Sequence, residues 1–120
     1  MRIMIVDDNE KIRNVIKSML VQHKPEFCEC TDAETAFDLY KTFDPDWVLM
    51  DIEMEGMDGI SATREITKND KNSHVIIVTN YDEKQFREAA ASAGAAGFVS
   101  KENLFELNEI IYERKTRRGI

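Results

Sequence analysis

The chain has 120 residues, enough for one domain with a hydrophobic core of ordinary size. Its formal net charge is -7 and its pI about 4.8, which argues against nucleic-acid binding, because that function requires a basic face. Charges of both signs are interspersed, as on the surface of a soluble globular protein. No apolar run approaches membrane-spanning length and the first residues, MRIMIVDDNE, do not form a signal peptide, so we expect no membrane association and a cytoplasmic location.

In the first half of the chain, residues 2–6 predict a short apolar strand of the kind that is covered on both faces. From Asn9 the apolar period becomes helical, and Pro25 closes this region. The predicted inward face of that helix consists of Ile12, Val15, Ile16, Met19 and Leu20. The segment EFCEC then predicts a second strand. Residues 31–34, TDAE, match a capping box and predict the start of a helix whose inward residues are Ala33, Ala36, Phe37 and Tyr40.

In the second half, DPDWVLMD predicts a third strand that ends at Asp51. After the turn EMEGMDG, a helix passes through Ile60, Thr63 and Ile66, and HVIIVTN predicts a fourth strand. A helix from about Asp82 to Ala93, a glycine-rich turn and a short strand, AGFVS, follow. The last predicted helix contains Leu104, Leu107 and Ile111.

The strand–helix alternation occurs five times, without an internal repeat or a linker before the end. This pattern predicts the α/β class: a doubly wound parallel sheet with helices on both faces, joined by right-handed crossovers. Functional sites in such sheets lie beyond the carboxyl ends of the strands, where the strand order reverses.

Five polar side chains fall at that edge: Asp7 and Asp8 after the first strand, Asp51 after the third, Thr79 at the end of the fourth, and Lys101 after the fifth. Asp7 has an ordinary alternative role as a helix cap with Glu10 as its capping-box partner, but that accounts for only one acid of the pair. Three converging carboxylates repel one another unless a cation joins them. Oxygen-only ligation by a few carboxylates, with open positions left for water, suits Mg²⁺.

The same residue types fit phosphoryl transfer. A carboxylate can act as the nucleophile and form an acyl phosphate, while Mg²⁺, a lysine and a hydroxyl stabilise the charge on the phosphoryl oxygens. Neither GMDG nor GAAG has the spacing of a dinucleotide turn or a P-loop. Taken singly, each residue has a structural interpretation: Thr79 as a strand end, Lys101 as a surface residue, Asp51 as a turn cap. Their coincidence at one edge favours a functional site.

Two cysteines, Cys28 and Cys30, flank Glu29 on the predicted second strand. Neighbours at this spacing rarely satisfy disulfide geometry, and a metal pair needs further ligands that are not nearby. We interpret them as small side chains on one face of the strand in a reducing compartment. His23 and His74 are isolated and match no metal-ligand spacing.

Four motifs, in order, are similar to those of the receiver domain of two-component response regulators: the acid pair after the first strand, LMDIEMEGMDG, VTN and GAAGFVSK. The resemblance covers the whole chain and implies one receiver domain over residues 1–120, with a flavodoxin-like sheet of strand order 2-1-3-4-5. The basic tail ERKTRRGI, from about residue 113, is either a helix end or the beginning of a linker.

The resemblance also implies a role for each site residue. Asp51 corresponds to the phosphoacceptor, Asp8 to the direct Mg²⁺ ligand and Asp7 to an acid that acts mostly through water. The backbone carbonyl of Glu53 corresponds to the third protein ligand, so the implied metal set is Asp7, Asp8, Asp51 and Glu53. Thr79 corresponds to the switch hydroxyl, Lys101 to the phosphate-binding lysine and Phe98 to the rotating aromatic, although Phe98 taken alone is typical of ordinary core.

The function implied is a phosphorylation-switched receiver. It takes a phosphoryl group from a sensor histidine kinase or a phosphotransfer protein and catalyses its own phosphorylation and slow dephosphorylation. It signals through a conformational change to an output domain or through a homodimer formed by the face of the fourth helix, fifth strand and fifth helix. The alternative is a receiver-like interaction module that works without phosphorylation and need not keep the acids, hydroxyl and lysine. A phosphatase with an aspartyl nucleophile would require Asp-x-Asp after the first strand, which VDDNE does not match.

The chain departs from the family pattern at three positions. Glu55 and Glu102 stand where the family often has proline, which leaves open whether the lysine loop has a trans peptide or is held in another way. Asn80 follows Thr79 where a smaller residue is usual, and we expect it to narrow access to the phosphoryl site.

Overall fold

The structure, a computed structural model, describes residues 1–113. Five parallel strands form one sheet in the order β2-β1-β3-β4-β5, as predicted. The strands are β1 (Arg2–Val6), β2 (Glu26–Cys30), β3 (Trp47–Met50), β4 (Val75–Thr79) and β5 (Gly97–Ser100). The helices are α1 (Glu10–Leu20), α2 (Ala36–Phe43), α3 (Gly59–Asn69), α4 (Lys84–Ser92) and α5 (Glu106–Asn108). Val21–His23 and Lys101–Asn103 form 3-10 turns, and Glu109–Glu113 forms a π-helical turn after α5.

The core consists of two layers, because successive side chains of a strand point to opposite faces of the sheet. Ile3 and Ile5 of β1 pack with α1 and α5, whereas Met4 and Val6 pack with α2, α3 and α4. The three central strands are buried on both faces, which explains why β1 and β4 are apolar runs without a polar alternation.

The register of the strands aligns the carboxyl ends at one edge of the sheet. Val6 pairs with Met50, so the acids that follow these two residues lie side by side. Thr79 of β4 pairs with Ser100 of β5, and Lys101 comes directly after Ser100. The edge that the sequence predicts as a site is therefore formed by β1, β3, β4 and β5.

Helix α1 differs in detail from its prediction. Its N-cap is Asn9, whose side chain accepts a hydrogen bond from the amide of Ile12 (3.1 Å), so the helix-cap role considered for Asp7 is wrong. Asp7 instead accepts from the amide of Asn9 through Oδ1 (2.8 Å). Val15 was predicted to face inward but is 45% exposed, because the buried side of α1 is centred on Ile16 and Leu20.

The capping box predicted over residues 31–34 is wrong. Helix α2 begins at Ala36, and Thr35 is its N-cap residue but does not cap it, because its hydroxyl donates to Oδ1 of Asp32 (2.9 Å) instead. Glu34 does not reach back to Thr31, because its carboxylate accepts from the amide of Met57 (2.6 Å) in the loop between β3 and α3. The predicted inward residue Ala33 is nevertheless fully buried, just ahead of the helix.

Helix α4 begins at Lys84, two residues after the approximate start predicted at Asp82, and the Asp82 carboxylate pairs with Arg87 of the helix. Cys28 and Cys30 are free thiols on one face of β2, packed against the layer of α2, α3 and α4. Burial, with a smaller effect of Cys30, raises the pKa of Cys28 to about 11, which makes its thiol unreactive at neutral pH.

The basic tail lies largely outside the described residues. Among residues 1–113 we find no helix with the length and apolarity needed to span a membrane.

Candidate functional site

Three carboxylates converge at the carboxyl edge of the sheet. Asp7 and Asp8 follow β1 and Asp51 follows β3, and the amide of Asp51 donates to the carbonyl of Val6 (3.0 Å), which ties the two strand ends together. One carboxylate oxygen from each acid lies within 4.8 Å of the others. Asp7 and Asp51 are buried, at 2% and 5% exposure, whereas Asp8 is exposed to solvent.

Lys101 lies between the two buried acids. Its Nζ is 2.9 Å from Oδ2 of Asp7 and 3.1 Å from Oδ2 of Asp51, and its side chain is only 10% exposed. The residue comes directly after β5, where the hydroxyl of Ser100 accepts from the amide of Glu102 (3.2 Å) and starts the following turn. One ammonium thus faces three carboxylates, which leaves an excess of negative charge at the edge.

The pKa shifts follow from this arrangement. Burial raises the pKa of Asp51 and the charge of Asp7 raises it further, while the contact with Lys101 lowers it by less. For Lys101, burial lowers the pKa, but the hydrogen bonds and charges of Asp7 and Asp51 outweigh it and the net pKa lies above its usual value. Lys101 therefore carries its positive charge at neutral pH.

An open cleft of about 470 Å³ lies above these groups. From the predicted set, its walls contain Asp8, Asp51, Glu53, Thr79 and Lys101. Thr79 is fully buried, and its hydroxyl oxygen accepts from the amide of Tyr81 (3.2 Å). The structure thus brings the predicted reacting groups together in one cleft, with Asp7 buried directly beside them.

Phe98 does not line the cleft. It lies on β5, opposite Ile77 of β4, and is half-buried against the layer of α2, α3 and α4. The guanidinium of Arg87 lies over its ring at 4.5 Å from the centroid, and Arg87 is itself paired with Asp82. The ring therefore occupies a position between the core and the surface.

The three departures from the family pattern have distinct positions. Glu55 and Asn80 are exposed residues on the walls of the cleft. No cis peptide occurs in the described part of the chain, so the bond between Lys101 and Glu102 is trans.

Sequence reasoning missed two residues that shape the site. Arg13 donates from Nη1 to the main-chain oxygen of Asp7 (2.7 Å), and the one available signal was a basic residue near the N-terminus of α1, where the helix dipole disfavours it. Gly59 allows α3 to start against the acceptor: a Cβ there would lie 1.7 Å from the carbonyl oxygen of Asp51. The signal for Gly59 was the glycine at the end of EMEGMDG, directly before a helical pattern.

A comparison with protein families gives one match that spans most of the chain. The family model described as the response regulator receiver domain matches residues 3–112. The chain belongs to this family. Receiver domains are the phosphorylation-based signalling modules of two-component systems, and they bind Mg²⁺ at an acidic pocket.

Relatives of this receiver include short and long proteins. It is 36% identical over 100 residues to the chemotaxis protein CheY of Halobacterium salinarum, with 83% of each chain covered. It is 36% identical over 111 residues to the regulatory protein AtoC of Escherichia coli K12. This aligned region covers 92% of the receiver but only 24% of AtoC. A crystal structure of a LuxR-family two-component response regulator from Aurantimonas sp. SI85-9A1 has a TM-score of 0.84 and 34% identity, covering 96% of the receiver and 84% of that chain.

The donor set of this receiver fits Mg²⁺. The three acids offer hard oxygen ligands that lie close enough to share one cation. Asp8 faces solvent and leaves room for the water ligands that Mg²⁺ retains. A divalent cation would also offset the negative charge that Lys101 alone leaves unbalanced.

Proposed function

We propose that this receiver accepts a phosphoryl group on Asp51 from a histidine kinase or a phosphotransfer protein and transmits the modification by a conformational change. The observation that best supports the proposal is the position of Asp51: a buried carboxylate on the wall of an open cleft, 3.1 Å from the ammonium of Lys101 and beside two further acids. The alternative, an interaction module without phosphorylation, gives no reason for this costly concentration of buried charge.

The transfer reaction requires one bond to form and one to break. A carboxylate oxygen of Asp51 bonds to phosphorus while the bond between phosphorus and the donor's imidazole nitrogen breaks. The ammonium of Lys101 is held close enough to neutralise charge on the transferred oxygens, because it already contacts Asp51. The hydroxyl of Thr79 accepts one hydrogen bond from Tyr81 and keeps its own proton to donate to a phosphoryl oxygen.

Asp7, Asp8, Asp51 and the backbone carbonyl of Glu53 would hold the Mg²⁺ ion. When bound, the ion supplies positive charge at the phosphoryl oxygens. The protein contributes the alignment: Asp7 is fixed by the amide of Asn9 and by Lys101, and Asp51 is fixed by Lys101 and by its amide contact with β1.

Phosphorylation by a small phosphodonor tests the proposal directly. With acetyl phosphate and Mg²⁺, we expect intact-mass measurements to show the gain of one phosphoryl group that is stable in acid and labile in base. Chelation of Mg²⁺ with EDTA should suppress phosphoryl incorporation. Without the cation, the negative carboxylates of the cleft repel the negatively charged acetyl phosphate. A wild-type protein that stays unmodified at saturating Mg²⁺ would favour the alternative module.

A second prediction concerns the metal and fold stability. Mg²⁺ should raise the free energy of unfolding by about 2.7 kcal/mol at a concentration of 100 times its Kd, since it binds the folded acids and not the dispersed ones. We expect Asp8→Ala to weaken Mg²⁺ binding more than Asp7→Ala, because Asp8 faces the cleft whereas Asp7 is buried and engaged by Lys101. Calorimetric titration gives the affinities, and urea unfolding with and without Mg²⁺ gives the stabilities.

Asp38→Asn is the matched control for these variants. Asp38 is an exposed acid of α2 whose partner is Lys41 on the same helix, so its loss should leave Mg²⁺ binding unchanged. Both acid-to-alanine variants remove repulsion and can raise the stability of the metal-free protein. The affinity ranking is therefore the decisive quantity, and equal or reversed values for Asp8→Ala and Asp7→Ala would contradict the assignment.

A third prediction concerns the lifetime of the phosphoryl group. Hydrolysis requires water in line with the bond, and Tyr81 and Glu53 both line the cleft. The Tyr81 ring is half-buried and lies 5.3 Å from the ring of Phe86, which holds it over the approach. We expect Tyr81→Ala to lose phosphate severalfold faster and Tyr81→Phe to keep the wild-type rate, as measured by decay of the phosphorylated mass. An unchanged or slower rate in Tyr81→Ala would show that the ring does not exclude water.

For the output, we propose the face formed by α4, β5 and α5. It contains the proposed rotating aromatic, Phe98, together with Arg87, whose guanidinium lies over the Phe98 ring and pairs with Asp82. A change of this face would be read by an output domain or by a second receiver. The receiver is similar to a LuxR-family response regulator and covers only 24% of AtoC. These similarities support an output domain as one of the partners.

A further inference from the structure

One side chain outside the predicted set makes direct contact with the segment that contains the metal-binding acids. Arg13, on α1, has a side chain that is only 12% exposed. Its Nη1 donates to the main-chain oxygen of Asp7 (2.7 Å), and its Nε donates to Oε1 of Glu29 on β2 (2.8 Å). The other oxygen of Glu29 accepts from Lys17 (2.9 Å). The guanidinium is therefore anchored at both ends.

The oxygen that Arg13 holds belongs to the peptide that joins Asp7 to Asp8. Because a peptide unit is planar, fixing this oxygen fixes the direction in which the chain enters Asp8. The amide of Asp7 is bound to the carbonyl of Cys30 (3.0 Å), and its carboxylate accepts from the amide of Asn9 (2.8 Å). No hydrogen bond of the exposed Asp8 side chain is found among the described residues, so its direction depends on the backbone that precedes it.

We infer that Arg13 is a positioning residue for Mg²⁺ binding: it orients the peptide between Asp7 and Asp8 so that the Asp8 carboxylate faces the other two acids. The inference rests on the proposed function. Arginine is suited to this role because its fork donates to the carbonyl and to Glu29 at the same time, whereas lysine has a single ammonium on a flexible stem.

Two other roles for Arg13 make different predictions. If the Arg13–Glu29 pair only ties α1 to β2, substitutions should lower fold stability and leave Mg²⁺ affinity unchanged. If Arg13 acts through its charge, it opposes a cation, and removing it should tighten Mg²⁺ binding. A positioning role predicts weaker Mg²⁺ binding in two kinds of variant. One is Arg13→Lys, which keeps the positive charge but lacks the forked guanidinium, and the other is Arg13→Gln, which loses the charge.

The test is the Kd for Mg²⁺ by calorimetric titration of the full chain, together with the free energy of unfolding in EDTA. We expect Arg13→Lys and Arg13→Gln each to weaken Mg²⁺ binding by about tenfold, the usual effect of losing a residue that orients a metal ligand. Lys17→Gln is the matched control, since it removes a positive charge from the same cluster and leaves the Asp7 carbonyl contact intact. Its Kd should change by less than about twofold.

Glu29→Gln provides a second test that does not depend on the stability of the Arg13 variants. It weakens the anchor of the guanidinium but keeps a hydrogen-bond acceptor for it, so we expect a smaller loss of affinity in the same direction. A wild-type Kd in Arg13→Lys, or tighter binding in Arg13→Gln, would overturn the inference whatever the unfolding data show. A wild-type protein that binds no Mg²⁺ would overturn the proposed function itself, and the positioning role with it.

Discussion

Replacing Asp51 with asparagine is expected to abolish phosphoryl incorporation from acetyl phosphate. The amide has nearly the same shape as the carboxylate but is not a nucleophile toward phosphorus, so no acyl phosphate can form. The substitution also reduces the charge beside Asp7, whose proximity raises the pKa of Asp51, and the fold should remain intact. Incorporation should fall to the background of a reaction without phosphodonor, measured by intact mass.

The matched control for Asp51→Asn is again Asp38→Asn, which should incorporate the wild-type amount. Asp7 and Asp8 are the acids most able to substitute for the acceptor, because they lie within 4.8 Å of it. Incorporation in Asp51→Asn at the wild-type level would show that one of these neighbours, or another group, is the true acceptor. Peptide mapping of the modified residue after borohydride reduction would then identify it.

The strand order and the converging acids were predictable because they depend on local patterns. An apolar run such as residues 75–79 specifies a buried parallel strand, and the parallel arrangement places every residue that follows a strand at the same edge. The contact of Lys101 with both Asp7 and Asp51 follows from that topology with few further assumptions.

The parts that were wrong or missed depend on contacts between distant residues. Glu34 fits the capping-box pattern, but its carboxylate is used 23 positions away, by the amide of Met57. Arg13 donates to Glu29 across 16 positions and to a main-chain oxygen, and no periodicity or motif encodes a contact of that kind. The position of Phe98 between core and surface depends on Arg87, and no local pattern predicts that a guanidinium lies over this ring.

The second large effect expected is a separation between accepting phosphate and transmitting it. Thr79→Ala and Phe98→Ala should still be phosphorylated on Asp51 but transmit the change poorly, whereas Lys101→Ala should impair both steps. Lys101 contacts the proposed acceptor Asp51 at 3.1 Å, so we expect the reaction itself to require it. We propose that Thr79 contributes a hydrogen bond to the phosphoryl group that the transfer can proceed without, and that Thr79 and Phe98 act mainly in the conformational change after phosphorylation.

The register of β4 and β5 gives the physical reason. Phe98 is opposite Ile77, and Ile77 and Thr79 lie on the same face of β4 because they are two residues apart. Movement of the Thr79 hydroxyl toward a phosphoryl oxygen therefore empties space on the face where the Phe98 ring packs. The ring has no hydroxyl, so moving inward leaves no buried donor without a partner.

The contact with Arg87 contributes to the preference that opposes an inward movement of the Phe98 ring. A guanidinium over an aromatic ring at an exposed site contributes about 0.5–1 kcal/mol, and Arg87 is 49% exposed. We expect phosphorylation to overcome this preference, together with the cost of repacking, when it shifts the population of Phe98 inward. We propose that the coupling is a shift between two existing states of the face formed by α4, β5 and α5.

The measurement is a pair of amide-exchange or NMR shift maps for each variant, with and without beryllofluoride as a stable mimic of the phosphoryl group. In the wild type the changes should extend across residues 82–112, and in Thr79→Ala and Phe98→Ala they should shrink to the immediate surroundings of Asp51. Phe105→Ala is the control, because Phe105 is 57% exposed and lies outside the buried clusters among the described residues. If Thr79→Ala shows the full wild-type change across residues 82–112, the hydroxyl is not the trigger and the movement of Phe98 must have another cause.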